Sequence, residues 1–187
     1  RSLLDVQDGG LSELQNIIGR LRELATQMAN GTYTDNDRSM AQLEFESLGN
    51  QISNLILSAT YNAKRTMNGA LAPGSNALMR LQAGSSGDEF VQIEKGAGTY
   101  IGNQVTSGSI SINTQSNALA AMDALEDILF EVNSARAING ASKNRLISVV
   151  DNLSSATVMA EQALGRILDA DMANESSKNL KFKILRS

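Results

Sequence analysis

Any chemistry in this chain has to come from carboxylates, amines and hydroxyls. Its 187 residues include no histidine and no cysteine. That removes the commonest general base and metal ligand, every thiolate nucleophile and any disulfide. Asp169 and Asp171, with Glu175 beyond them, are the nearest approach to a cation site. Their spacing fits no calcium loop and no further ligand set accompanies them, so they read as a polar helix end or junction. Glu44 and Glu46 are two residues apart and point to different faces of a helix, which is poor geometry for a paired acid and base. Gly84-Ser85-Ser86-Gly87 and Gly96-Ala97-Gly98 lack the following lysine and the strand-to-helix setting of a phosphate loop; turns are the expected use of these glycines. The triplets Asn30-Gly31-Thr32, Asn152-Leu153-Ser154 and Asn174-Glu175-Ser176 fit a glycosylation pattern that arises freely in a chain rich in Asn and Ser. No catalytic, metal or cofactor-binding residue emerges, and an enzyme is not expected.

The formal charge is −4 with Lys and Arg spread thinly, which gives no footprint for nucleic acid or an anionic membrane and points to protein partners. No run of about twenty apolar residues is present, and Arg1-Ser2-Leu3-Leu4-Asp5 lacks the apolar core of a signal peptide. Export by a route that reads no cleavable signal stays open. One cluster suits protein contact: Arg20, Arg22 and Glu23 beside Leu24. It reads either as solvated charge flanking a buried leucine or as an exposed docking patch in which arginine is an anchor.

These side chains must be positioned by helices. With 42% hydrophobic residues, no Trp, four Phe and three Tyr, the core is aliphatic and suits close helix packing. Leu14, Ile17, Ile18, Leu21, Leu24, Ala25 and Met28 lie at steps of three and one, an amphipathic helix that should stop near Asn30-Gly31. Asp8-Gly9-Gly10 reads either as a turn or as the interior of a longer helix. Thr34 and Asp35 are candidate caps for a second helix running to about Tyr61, with Asp37 well placed in its first turn. Its stripe of Ala41, Phe45, Leu48, Ile52, Leu55 and Ala59 steps by four and three, the period of a helix seam. The short connector makes the two helices an antiparallel hairpin.

From about Lys64 to Ser116 glycines interrupt any helix. Phe90–Ile93 and Ser109–Ile112 are expected strands, with Gly84 to Asp88 as a turn before the first. Helical periodicity returns from Asn117 to about Leu168, with Leu146, Val149, Leu153 and Ile167 on the later seam. If continuous through Gly140, this helix forms a rod of about 75 Å. The expected architecture is mainly α: an elongated antiparallel bundle of long helices with a small β-hairpin region at one end. Residues 1–68 and 117–187 form a discontinuous helical domain, and residues 69–116 a short glycine-rich hairpin and loop region. The long helix outruns its partners, so a longer parent protein is expected.

Arg20-Leu-Arg-Glu-Leu-Ala-Thr-Gln-Met-Ala-Asn-Gly-Thr32, followed by Asp37-Arg38-Ser39 and Gln42-Leu-Glu44, resembles the N-terminal core of bacterial flagellin. Val132-Asn-Ser-Ala-Arg136, Asn144-Arg-Leu146 and Ile167-Leu-Asp-Ala-Asp171-Met-Ala-Asn-Glu-Ser176 resemble its C-terminal core. The resemblance implies a structural subunit of the bacterial flagellar filament, secreted through the flagellar channel and self-assembling for motility. Other flagellin subunits, an export chaperone and cap proteins are the implied partners. It also implies recognition by a leucine-rich-repeat innate immune receptor through Arg20, Leu24 and Glu44, although Gly19 departs from the bulkier polar residue common at its position. The family's terminal regions are missing, so this core alone is expected to stay monomeric. A hook-filament junction protein, or a helical adaptor that forms no filament, is the alternative.

Overall fold

The computed structural model describes residues 2–67, 79–82, 90–93, 101, 104–105 and 110–186. Three long helices dominate: α1 (Ser2–Met28), α2 (Asp35–Ser58) and α3 (Gln115–Arg186). Among the described residues, two short antiparallel strand pairs lie between α2 and α3 in the chain. β1 (Thr60–Tyr61) pairs with β2 (Lys64–Arg65), and β3 (Met79–Gln82) pairs with β4 (Phe90–Ile93). The chain divides into two units, Arg1–Arg145 and Leu146–Ser187, the second being the remainder of α3.

The core of the first unit follows from the apolar spacing. On α1 the buried apolar side chains are Leu4, Leu11, Leu14, Ile17, Ile18, Leu21, Leu24, Ala25 and Met28. All of these but Leu4 form one cluster with Phe45, Ile52 and Ile56 of α2 and with Ala118, Ala121, Leu125, Ile128 and Val132 of α3. Gly9 and Gly10 lie inside α1, which decides the open reading of that segment in favour of a longer helix. A Cβ at Gly10 would meet the Met67 sulfur at 2.5 Å, so the missing side chain makes room for the fully buried Met67.

The seam of α2 is rotated slightly from its expected line. Phe45 and Ile52 are buried, whereas Ala41, Leu48, Leu55 and Ala59 are partly buried at its margin. Arg38, Gly49 and Ile56 complete the buried stripe. Gly49 permits close approach, because a Cβ there would stand 3.2 Å from Val105. Thr34 caps the helix: its hydroxyl accepts from the Asp37 N–H at 3.2 Å, and the Asp37 carboxylate accepts from the Thr34 N–H at 3.0 Å and its hydroxyl at 2.7 Å. This reciprocal box satisfies two otherwise orphaned groups at the helix start. The Thr34 hydroxyl, then its N–H, hold the Asp37 carboxyl below its ordinary pKa. A depressed carboxyl stabilises the fold above its unfolded pKa, so the cap is retained at neutral pH and lost only as pH falls through the lowered folded value.

Three expectations are corrected. The helix beginning near residue 117 does not end near Leu168 but runs to Arg186. The segment after Gly165 contains neither Gly nor Pro, and single Asp or Asn residues cost only up to about 0.7 kcal/mol each in a helix interior. Residues 110–112 of the expected Ser109–Ile112 strand are in neither of the two sheets seen among the described residues. Ile110 and Ile112 are buried, and the Ile112 N–H donates to the Gln42 side-chain oxygen at 2.7 Å. The strand opposite Phe90–Ile93 is Met79–Gln82 instead, whose Met and Leu fit helix and strand equally on pattern alone. Ser109 and the expected turn at 84–88 lie outside the described residues.

The β1–β2 hairpin was not foreseen. Asn62 and Ala63 form its two-residue loop, both with positive φ, 51° and 60°. This is the signature of a type I′ turn, which is ordinarily specified by Asn-Gly. Asn tolerates the left-handed region and alanine is strained there by roughly 1–2 kcal/mol. Ala63→Gly is therefore expected to stabilise the chain by about 1 kcal/mol, net of the extra freedom glycine gives the unfolded state. A urea-unfolding midpoint equal to or below that of the unaltered chain would contradict this.

Candidate interaction surface

The Arg20 guanidinium bridges two helices. Nη1 donates to Glu23, one turn along α1, at 3.0 Å, and Nη2 donates to Glu44 on α2 at 3.1 Å. The hydrogen bond to Glu23, followed by that to Glu44, raises the pKa of Arg20. All three side chains are about half exposed or more, and such pairs are screened by water and contribute little to folding. Their charge is available to another molecule. Leu24 does not join them. It is 4% exposed and sits in the core, because the apolar stripe of α1 carries it inward. Arg22 also turns aside, donating to Glu126 on α3 at 3.2 Å.

A polar ladder fixes α3 against α1. Arg136 donates to Asp8 at 3.1 Å and to Gln15 at 2.7 Å, two residues one heptad apart on α1. The Asn139 amide donates to the Leu4 carbonyl at 2.9 Å, and Lys143 pairs with Asp5. Glu126 of α3 lies against Arg22, Arg136 against Asp8 and Gln15, and Asn139 and Lys143 against Leu4 and Asp5, so the two helices are antiparallel. Asn139 is buried and follows Ala118, Leu125 and Val132 at strict intervals of seven, a polar residue in an apolar seam that sets register at some cost in stability. Sequence reading passed over this signal. The side-chain oxygens of Gln7 and Asn139 are buried without partners among the described residues.

A second ladder closes the end of α1. The last carbonyls of a helix have no partner within it. Arg38 Nε donates to the Met28 carbonyl at 2.9 Å and Nη2 to the Asn30 carbonyl at 3.1 Å, while the Gln115 amide donates to the Ala29 carbonyl at 3.0 Å. Side chains from α2 and α3 thus terminate α1. Nothing local in the sequence signals this, because the acceptors lie on the backbone eight or more residues away.

The second unit is different in character. Leu146 and Val149 at its start are partly exposed, Leu153 is 45% exposed and Ile167 is 64% exposed. Val150, Val158, Met159, Leu164, Leu168, Leu180, Phe182, Ile184 and Leu185 are exposed as well. Of the expected seam, Phe45 and Ile52 lie in the buried core and Leu48 and Leu55 at its edge, while Leu153 and Ile167 are uncovered. Among the described residues there is no group of three or more acidic side chains that could hold a metal, and no helix long and apolar enough to cross a membrane.

The family model for the bacterial flagellin N-terminal helical region matches residues 1–72, and that for the C-terminal helical region matches residues 122–187. The chain belongs to the flagellin family. Flagellin of Listeria monocytogenes is 30% identical over 98% of this chain and 67% of its own length. The flagellar filament 31.3 kDa core protein of Treponema maltophilum is 33% identical over 98% of this chain and 68% of its own. The chain therefore spans about two thirds of these flagellins. The crystal structure of Bacillus cereus flagellin superposes with a TM-score of 0.67 at 25% identity, covering 81% of this chain and 84% of that one. FliC from Burkholderia pseudomallei shares the fold at 16% identity, with a TM-score of 0.64 over 77% of this chain and 98% of that one. Flagellins are structural proteins of the exported, extracellular flagellar filament, and the mainly helical fold expected from sequence is the fold observed.

Proposed function

We propose that this chain is a filament-building subunit that associates with further flagellin copies through helix faces it leaves uncovered. The observation that carries the reading is the run of exposed aliphatic and aromatic side chains along α3 from Val150 to Leu185. A soluble monomer seldom exposes apolar surface on this scale without a partner to cover it. Open-ended stacking of identical subunits meets that need, since a heterologous contact that does not close continues indefinitely. Residues 1–68 with 117–187 then act as one discontinuous helical domain, with 69–116 as an insert; the α1–α3 polar ladder supports the joining of its two halves. An export chaperone and cap proteins are the further partners. Electron microscopy of the full-length protein tests the assignment: long filaments are expected, and discrete complexes only would favour an adaptor.

The Arg20–Glu23–Glu44 cluster supports a second role, docking of a leucine-rich-repeat innate immune receptor on the outer face of α1 and α2. Arg20 and Glu44 are the accessible contacts, with Leu24 shaping the helix beneath them. Arg20→Ala is expected to weaken receptor binding about thirtyfold, the effect of losing an interface anchor, and to leave the melting temperature unchanged. Titration of purified receptor ectodomain with both proteins checks this, and equal affinities would refute the docking role.

A further inference from the structure

We propose that Asn30–Gly31 is a site of spontaneous deamidation, promoted by the same Arg38 that closes α1. In such a reaction the Gly31 backbone nitrogen loses its proton and attacks the Asn30 side-chain carbonyl carbon. A C–N bond forms, and the side-chain nitrogen leaves as ammonia with a proton from solvent, giving a five-membered succinimide. Water then adds to either ring carbonyl and breaks its C–N bond, yielding aspartate or isoaspartate. Water is the sole co-reactant and nothing is oxidised or reduced. Gly31 presents no side chain to hinder the attack, and Asn30 and Gly31 are both exposed in the connector between α1 and α2.

Two contacts bear directly on the reacting groups. Arg38 Nη2 donates to the Asn30 carbonyl oxygen at 3.1 Å, and the Tyr33 N–H approaches the same oxygen at 3.4 Å. That carbonyl belongs to the peptide whose nitrogen is the nucleophile. When Gly31 gives up its proton the charge is shared with this oxygen, so a guanidinium bound there favours the reactive anion. Arg38 is 5% exposed, which spares its charge from full screening by water. The Thr32 N–H donates to the Asn30 side-chain oxygen at 3.3 Å. Negative charge develops on this oxygen as the tetrahedral intermediate forms, so the donor sits where an oxyanion needs one.

Asn139–Gly140 is an internal comparison. The dipeptide is the same, but it lies inside α3, with Asn139 buried and its amide nitrogen committed to the Leu4 carbonyl. A third such pair, Asn68–Gly69, lies outside the described residues. Conversion at Asn30 to isoaspartate would insert a methylene into the connector backbone and shift the carbonyl that Arg38 holds, so the chain acquires an age-dependent change at the joint between α1 and α2.

The test is peptide mapping by mass spectrometry after timed incubation of the chain at mildly alkaline pH, with isoaspartate counted enzymatically. In the folded chain Asn30 is expected to convert while Asn139 stays intact; in urea both convert. Protection of Asn30 in the folded chain, or equal conversion of both sites there, overturns the site. Arg38→Gln keeps a donor but removes the cation, and is expected to slow conversion at Asn30 by about fivefold, in line with loss of a charge-assisted hydrogen bond. An unchanged or faster rate, with circular dichroism showing the helices retained, overturns the part assigned to Arg38.

Discussion

Arg38→Ala is expected to destabilise the chain by about 3 kcal/mol, the upper range for leaving buried polar groups without partners. The side chain is almost completely buried and bonds two carbonyls at the end of α1, Met28 and Asn30. Truncation leaves the Met28 carbonyl without its side-chain donor next to a buried methionine, and opens a space where the aliphatic stem lay. The ion pair with Asp35 at 3.1 Å adds little, because that carboxylate is 90% exposed. Arg38→Lys can reach one carbonyl but not both at the fork geometry, so it recovers only part of the loss. Urea-unfolding curves for the three proteins decide the matter. An Arg38→Ala midpoint within error of the unaltered chain would mean that solvent satisfies the end of α1 unaided.

The sequence made the apolar faces of α1 and α2 readable because burial imposes a period on residue type. Leu14, Ile17, Ile18, Leu21, Phe45 and Ile52 repeat at helical intervals, and each lies in the core. The start of α2 was legible to within one residue: Thr34 and Asp35 both qualify as caps by type, and the structure selects Thr34, paired reciprocally with Asp37 three residues on. What escaped was interaction between side chains and distant backbone. Arg38, Gln115 and Asn139 bond carbonyls at Met28, Ala29 and Leu4, and a carbonyl carries no residue type to be read. The β1–β2 hairpin escaped for a different reason: its turn uses Asn62-Ala63 where the familiar signal is Asn-Gly. Leu24 shows the limit of reading a surface from one helix. Its neighbours Arg20 and Glu23 are exposed, but one step of the helical period turns it into the core. Arg20 and Glu44 were foreseen as a cluster only through family resemblance; their ion pair needs the α1–α2 hairpin, which brings residues far apart in the chain together.

The largest effect is expected at Phe45, set against a control on the exposed stripe of α3. Phe45 is among the largest fully buried side chains and lies where α2 meets the core of the first unit. Phe45→Ala is expected to cost about 4 kcal/mol, combining lost transfer energy with the cavity that a rigid helix seam cannot close. Ile167 has the same apolar character and was placed on the same kind of seam by sequence, yet it is 64% exposed. With few contacts to lose, Ile167→Ala is expected to change stability by less than about 0.5 kcal/mol. Urea unfolding of each variant at low protein concentration measures both. The comparison separates two uses of one pattern: a heptad whose apolar residues fold the chain on itself, and a heptad whose residues stay available to another copy. If the Ile167 variant were destabilised as much as the Phe45 variant, the stripe on α3 would already be covered in the isolated chain, and the assembly role proposed for it would have to move to another surface. If neither variant moved the midpoint, the aliphatic core described for α1, α2 and α3 would not be what holds this flagellin together.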